Sequence, residues 1–219
     1  HLDNRTVALS GSAANTAAAL AGSFTTGKTH TGVVTISDNG SAVTATDITS
    51  ISTAKGGTGN INITNAVTLS GSGSEVKGAA DALNTIHGST DANITGTDYT
   101  VTHLKAINDK VGGTITLATS TAVALSGTAA NLVDALAGTF DSAHTGEVKV
   151  TGTYDVTQLK SINTGTDGAL HLDNRTVALS GSAANTAAAL AGSFTAGKTH
   201  TGVVTISDSG SAVTATDIT

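Results

Sequence analysis

The chain reads as an α/β repeat protein, solenoid-like, made of stacked units of about 27 residues that each hold two short strands and one short helix. Three observations predict this class. The sequence repeats itself at fixed offsets, its Val/Ile runs alternate with polar residues, and its Ala-rich runs carry helix punctuation at both ends.

Residues 1–49 recur as 171–219, an offset of 170 residues, with only Thr26/Ala196 and Asn39/Ser209 differing. Within that block VALSG or VTLSG starts at Val7, Val67, Val123 and Val177, at spacings of 60, 56 and 54. Each such segment divides into two related halves, of which Gly168–Gly192 and Gly146–Asn163 are examples. Residues 1–219 are therefore expected to be one continuous array. His1 falls inside a unit, so the sequence is expected to be a window on a longer chain.

The strands come first. In Gly146–Gly152, Val148 and Val150 face one way and Glu147 and Lys149 the other, the period of two of a half-buried strand. Asp38-Asn39-Gly40 and Asp173-Asn174-Arg175 lie between strand-like runs, where the tolerance of Asn, Asp and Gly for positive φ predicts hairpin turns. The helices follow. Ser12, Thr128 and Ser182 are expected N-caps, and Gly22, Gly138 and Gly192 expected C-terminal stops. Ala129, Val133 and Leu136 form an apolar stripe in one helix type. Val101/Leu104/Ile107 and Val156/Leu159/Ile162 form it in the other, and Ala45/Ile48/Ile51 is a weaker third copy.

Two strands per unit would advance a sheet by about 9.6 Å, at about 4.8 Å each. Helices pack about 8–10 Å apart. A hairpin-plus-helix unit would therefore stack with little curvature, with its helices on one side and Thr, Ser, Lys, Glu and His on the outer sheet face. The alternative is a β-solenoid with the Ala-rich segments as corners.

Composition narrows function. The chain has 219 residues, a net charge of −6, no Cys, Pro, Met or Trp, and 2% aromatic residues. Without a basic stripe to neutralise phosphates, neither nucleic acid nor an anionic membrane is an expected partner. Without Cys, disulfides and thiolate chemistry are excluded. No apolar run approaches the roughly 18–20 residues of a membrane helix. Regularly spaced Val, Ile and Leu argue for a folded chain despite the low charge.

Such units as TDYTVTHLKAIND, GTITLATSTAVALSGTAANLVDALAGTF and TGEVKVTG resemble the Ala/Thr-rich tandem arrays of giant bacterial surface proteins, those of cyanobacteria above all. The resemblance covers essentially the whole chain and lies in repeat style. It implies secretion, cell-surface attachment, and a role as adhesin stalk, sheath or filament. Many such arrays also carry calcium-binding glycine-rich nonapeptides. Here Gly56-Gly57-Thr58-Gly59-Asn60 lacks the following Asp, which removes that mechanism.

Candidate chemistry is sparse. His30, His144 and His200 each open an HTG before a strand, and a turn-closing role is expected over metal binding, since no second ligand stands at zinc-like spacing. Asp38, Asp91, Asp98, Asp141, Asp155 and Asp208 fall in or beside predicted turns, where Asp favours the backbone and could also ligate isolated calcium ions. No serine sits on a GxSxG elbow and no phosphate-loop GK[ST] occurs. Asn4, Asn62, Asn93 and Asn174 begin N-x-T triplets, as a Thr-rich chain produces by chance.

The expectation is thus an extracellular structural array without catalysis, cofactor or metal, associating with its own repeats and with surface polysaccharide. The alternatives are an ice- or solid-surface-binding solenoid, from strand threonines such as Thr35, Thr116 and Thr205, or a glycan-binding adhesin. Lys149 and His171 already break the threonine rank.

Overall fold

The structure, a computed structural model, describes residues 5–22, 29–57, 60–118 and 123–208. In chain order its elements begin with β1 (Leu9–Gly11), α1 (Ala13–Leu20), β2 (Val34–Ile36), β3 (Ala42–Thr44) and α2 (Ala45–Ala54). There follow β4 (Ile61–Ile63), β5 (Thr68–Gly71), α3 (Gly73–Ala82), β6 (Asp91–Ile94), α4 (Val101–Asn108) and β7 (Thr114–Leu117). Next come β8 (Leu125–Thr128), α5 (Ala129–Leu136), β9 (Thr139–Phe140), β10 (Val148–Thr151) and α6 (Val156–Gly165). The last are β11 (Leu170–Leu172), β12 (Leu179–Gly181), α7 (Ala183–Leu190) and β13 (Val204–Ile206).

The chain is a mixed α/β protein in two compact units. One comprises His1–Tyr99, Ala106–Ala118 and Gly138–Asp141; the other comprises Thr100–Lys105, Thr119–Ala137 and Ser142–Thr219. The first holds sheets of order β1-β2-β4 and β3-β5-β6-β7-β9, the second β8-β10-β11 and β12-β13. None of them closes into a barrel.

Every strand pairing among the described residues is parallel. This corrects the expected hairpins. The Asp38-Asn39-Gly40 turn, with Gly40 at φ +62°, does reverse the local path, but β2 and β3 on its two sides belong to different sheets. Asp173-Asn174-Arg175 likewise separates β11 from β12. Parallel neighbours require a crossover connection, usually helical. Most crossovers here run through a helix, and they set partner offsets such as Val148↔Leu170 and Val34↔Ile61. Each helix therefore accompanies one hydrogen-bonded strand step of about 4.8 Å, rather than two.

The strand alternation is realised. Val34, Ile36, Ile63, Leu69, Ile94, Ile115, Val148 and Val150 are all fully buried. The helical stripes meet them. Ile48, Ile51, Leu104, Ile107, Leu159 and Ile162 have no exposed surface, so the third copy is as deeply buried as the other two. In α5 the buried residues are Ala129, Leu132, Ala135 and Leu136. Val133, expected in that stripe, is only half-buried, because the sheet-facing arc is centred one residue earlier.

Caps match their spelling at one end. Ser12, Thr128 and Ser182 accept from the amides of Asn15, Asn131 and Asn185. At the other end the glycines serve a different purpose from a left-handed stop. None of Gly22, Gly138 and Gly192 has positive φ. A Cβ at Gly138 would lie 2.6 Å from Asn108 Oδ1, and one at Gly192 would lie 1.9 Å from Asn163 Oδ1. These glycines make room for an asparagine of the preceding repeat, and Asn163 Nδ2 donates to the Ala188 carbonyl at 2.9 Å.

Leu159 tests the core. Leu159→Asp places an unpaired charge in a fully buried position, which costs about 3–5 kcal/mol. Thermal unfolding followed by circular dichroism should show loss of at least the transition of its compact unit. A melting curve superimposable on that of the parent chain would remove this stripe from the interior.

Candidate functional site: the seams between repeats

The polar side chains of this protein converge on one recurring place, the seam where each repeat meets the next. The helix N-termini lie there, with four amides each that no intrahelical carbonyl reaches. Asp38 Oδ2 accepts from the Ala13 amide at 2.7 Å, and Asp208 Oδ2 accepts from the Ala183 amide at 2.7 Å. Asp98 does the same with both oxygens, to Gly73 at 2.7 Å and Ser74 at 3.0 Å. Each carboxylate thus comes from the repeat after the helix that it caps. The Ser74 amide above all, with the Ser74 side chain and the Gly73 amide, holds the Asp98 carboxyl down to about 2.

The remaining turn aspartates divide. Asp91 Oδ1 accepts from the Thr114 amide, again across a seam, at 2.7 Å. Asp155 caps its own helix, in a capping box with Gln158. Asp141 enters the seam through its backbone, its amide donating to the Ile115 carbonyl at 3.1 Å. Among the described residues no group of three or more His, Asp or Glu side chains could hold a metal ion. Thr58 and Gly59 of the glycine-rich run lie outside the described residues; Gly56 and Gly57, both at φ +70°, follow the end of α2.

The HTG segments form a second device. The amides of Thr31 and Gly32 both donate to the Arg5 carbonyl at 2.9 Å. Those of Thr201 and Gly202 both donate to the Arg175 carbonyl, at 2.8 and 3.0 Å. Thr166-Asp167-Gly168 repeats the arrangement on the His144 carbonyl, with amide bonds of 2.9 and 3.1 Å and a third from the Thr166 hydroxyl at 2.7 Å. Only glycine fits the last position. A Cβ would lie 2.3 Å from the Val7 carbonyl at Gly32, 2.0 Å from that of Val123 at Gly146, and 2.4 Å from that of Val177 at Gly202.

The three HTG histidines close these turns. His30 and His144 are buried and His200 is half-buried. His144 Nε2 lies 2.9 Å from the Val123 carbonyl, and the Tyr154 hydroxyl bridges His200 Nδ1 at 3.2 Å and the Asn174 carbonyl at 3.0 Å. Burial lowers the pKa of all three. At His30 the ammonium of Lys55 adds to that effect. Lys55 itself is a buried cation that donates to the Gly32 carbonyl, and sequence patterning offered no sign of it.

The outer sheet faces carry polar ranks. Ser10, Thr35 and Asn62 align in one sheet, and Thr44, Ser70, Asn93 and Thr116 in another. Ser126, Lys149 and His171 align in the third. The third is charged: Lys149 Nζ lies 3.1 Å from Asp173, and His171 Nδ1 lies 3.4 Å from Glu147. The Thr195 hydroxyl, 2.7 Å from Glu147, leads the causes that hold that carboxyl below its ordinary value. Exposed pairs of this kind contribute little. Neither a threonine lattice nor a constellation of nucleophile and base results. Asn62 and Asn93 lie in strands and Asn174 in the turn after β11, while Asn4 lies outside the described residues.

No protein-family model, curated protein or solved structure matches this chain. No helix among the described residues is long and apolar enough to cross a membrane.

Two pH effects of opposite origin follow. The folded state resists protonating the three buried histidines, while the unfolded chain takes up those protons near the ordinary value of about 6.5. Their contribution is present above that value and lost below it, so the melting temperature should fall between about pH 7 and pH 5. His144→Gln should flatten that slope; an unchanged slope would free His144 of this role. Asp98 acts lower down. Its depressed pKa contributes stability above about 4 that is lost as the pH falls toward about 2. Asp98→Ala should lower the melting temperature by a few degrees at neutral pH, as loss of a helix cap does. That difference should vanish as the parent carboxylate becomes protonated.

Proposed function

We propose that this chain is a structural array, a solenoid whose work is to extend by stacking one repeat on the next. The single observation behind the reading is that the described polar devices recur with the repeat and point at neighbouring repeats. Capping aspartates, doubled HTG amides and glycine contacts all join one turn of the chain to another. A catalytic site would break that periodicity at some position.

The low charge, the near-identity of residues 1–49 and 171–219, and the likeness in repeat style to bacterial surface arrays support a secreted stalk, sheath or filament segment. Its partners in this reading are further repeats of its own kind and surface polysaccharide. Ice or solid-surface binding is the weaker reading, because lysine, histidine and asparagine interrupt the threonine ranks.

Length should then grow linearly with repeat number. Six helices, α1 to α6, fall within one 170-residue block. At about 4.8 Å per strand step and 8–10 Å per helix, each added block should lengthen the particle by on the order of 30–55 Å. Small-angle scattering from chains of one, two and three blocks would measure this. A radius rising as the cube root of mass would end the spacer reading.

A further inference from the structure

The internal duplication lets one surface be compared with itself, once covered and once bare. In the first copy, Leu20, His30, Val34 and Ile36 are buried. Their counterparts 170 residues later are Leu190 and His200, half-buried, and Val204 and Ile206, which are 38% and 40% exposed. Val203 is 70% exposed. The sequences around them are the same, so the difference lies in what stands beside them.

The covering material in the first copy is identifiable. Helix α2 packs on α1, and β4 pairs with β2 in the register Val34↔Ile61, Thr35↔Asn62, Ile36↔Ile63. The Val34 amide donates to the Asn60 carbonyl at 2.9 Å. The buried Lys55, which follows α2, sends its ammonium to the Gly32 carbonyl. In the second copy β13 pairs only with β12 among the described residues. A hollow lined by Leu190, Phe194, Thr199, His200, Gly202 and Val204 occupies the place that corresponds to the Lys55 site.

We propose that this face of β13 and α7 is a docking surface for a second copy of the Ala45–Ile63 segment. The apolar side chains supply area that removal from water stabilises. The open edge of β13 supplies unpaired strand groups. The hollow beside Gly202 supplies a carbonyl for a lysine ammonium, which gives the surface a chemical preference beyond apolarity. Charge agrees with shape here, because His200 lies against the hollow and its depressed protonation leaves it neutral beside an incoming cation. The inference rests on the array reading and names the partner that this end of a block accepts.

The test compares the full chain with the same chain extended after Thr219 by a copy of residues 50–98, using hydrogen exchange. The Thr26/Ala196 and Asn39/Ser209 differences tell the peptides of the two blocks apart. The Val34 amide, covered in every chain, serves as the internal measure of folding. Exchange at the Val204 amide should slow by at least about a hundredfold on extension, approaching that at Val34. Ile206→Lys in the extended chain should abolish that slowing and leave Val34 unchanged. A Val204 amide that exchanges equally fast in both chains would overturn the docking surface. Failure of the array reading is read separately, as particles that stay compact in scattering.

Discussion

The close approach of one turn of backbone to the next governs this structure. At Gly32, Gly146, Gly168 and Gly202 the chain runs so near the preceding repeat that an added methyl would lie within 1.8–2.4 Å of a carbonyl oxygen. Real side-chain carbons do not sit so close, so these positions hold the repeats at one separation. From that separation the rest follows. Two successive amides reach one carbonyl, the strands fall into parallel register, and an aspartate after one strand reaches the N-terminus of the helix behind it. A larger residue at any of these glycines would push apart a whole seam, with its cap and its strand pairing.

The close spacing also explains the unusual composition. Helices and strands drawn together in this way leave space between them for Ala, Val, Ile and Leu, and little for aromatic side chains. Both tyrosines, Tyr99 and Tyr154, are buried, and the Tyr154 hydroxyl is satisfied by Asn174 and His200. Stability then comes from many small contacts repeated at each seam, together with polar groups that are mostly paired across it. Lys55 shows how firm that requirement is. A lysine is carried into the interior where a carbonyl of the neighbouring repeat receives it.

Much of this was legible in the sequence because it is local. The Ser/Thr caps, the apolar helix stripes and the alternation of Val148 and Val150 need only residues within one element to be recognised. Strand direction was not legible, since alternation has the same period in parallel and antiparallel pairs. The DNG turn, a strong hairpin signal in isolation, here joins strands of different sheets. The roles of Asp38, Asp98, Gly138 and Gly192 were also hidden, because each is decided by an atom of another repeat, 24 to 30 residues away in the chain. A comparison of equivalent positions would have found a signal: Asp38 and Asp98 each follow the helix start that they cap by 25 residues.

Because each cap and clamp spans two neighbouring repeats at a fixed offset, a 170-residue insertion or deletion joins surfaces that already fit. Unequal recombination between the near-identical coding segments for residues 1–49 and 171–219 would therefore yield longer or shorter proteins with every junction intact. Length in such a gene can change in single events, without the series of compensating substitutions that a globular core would demand.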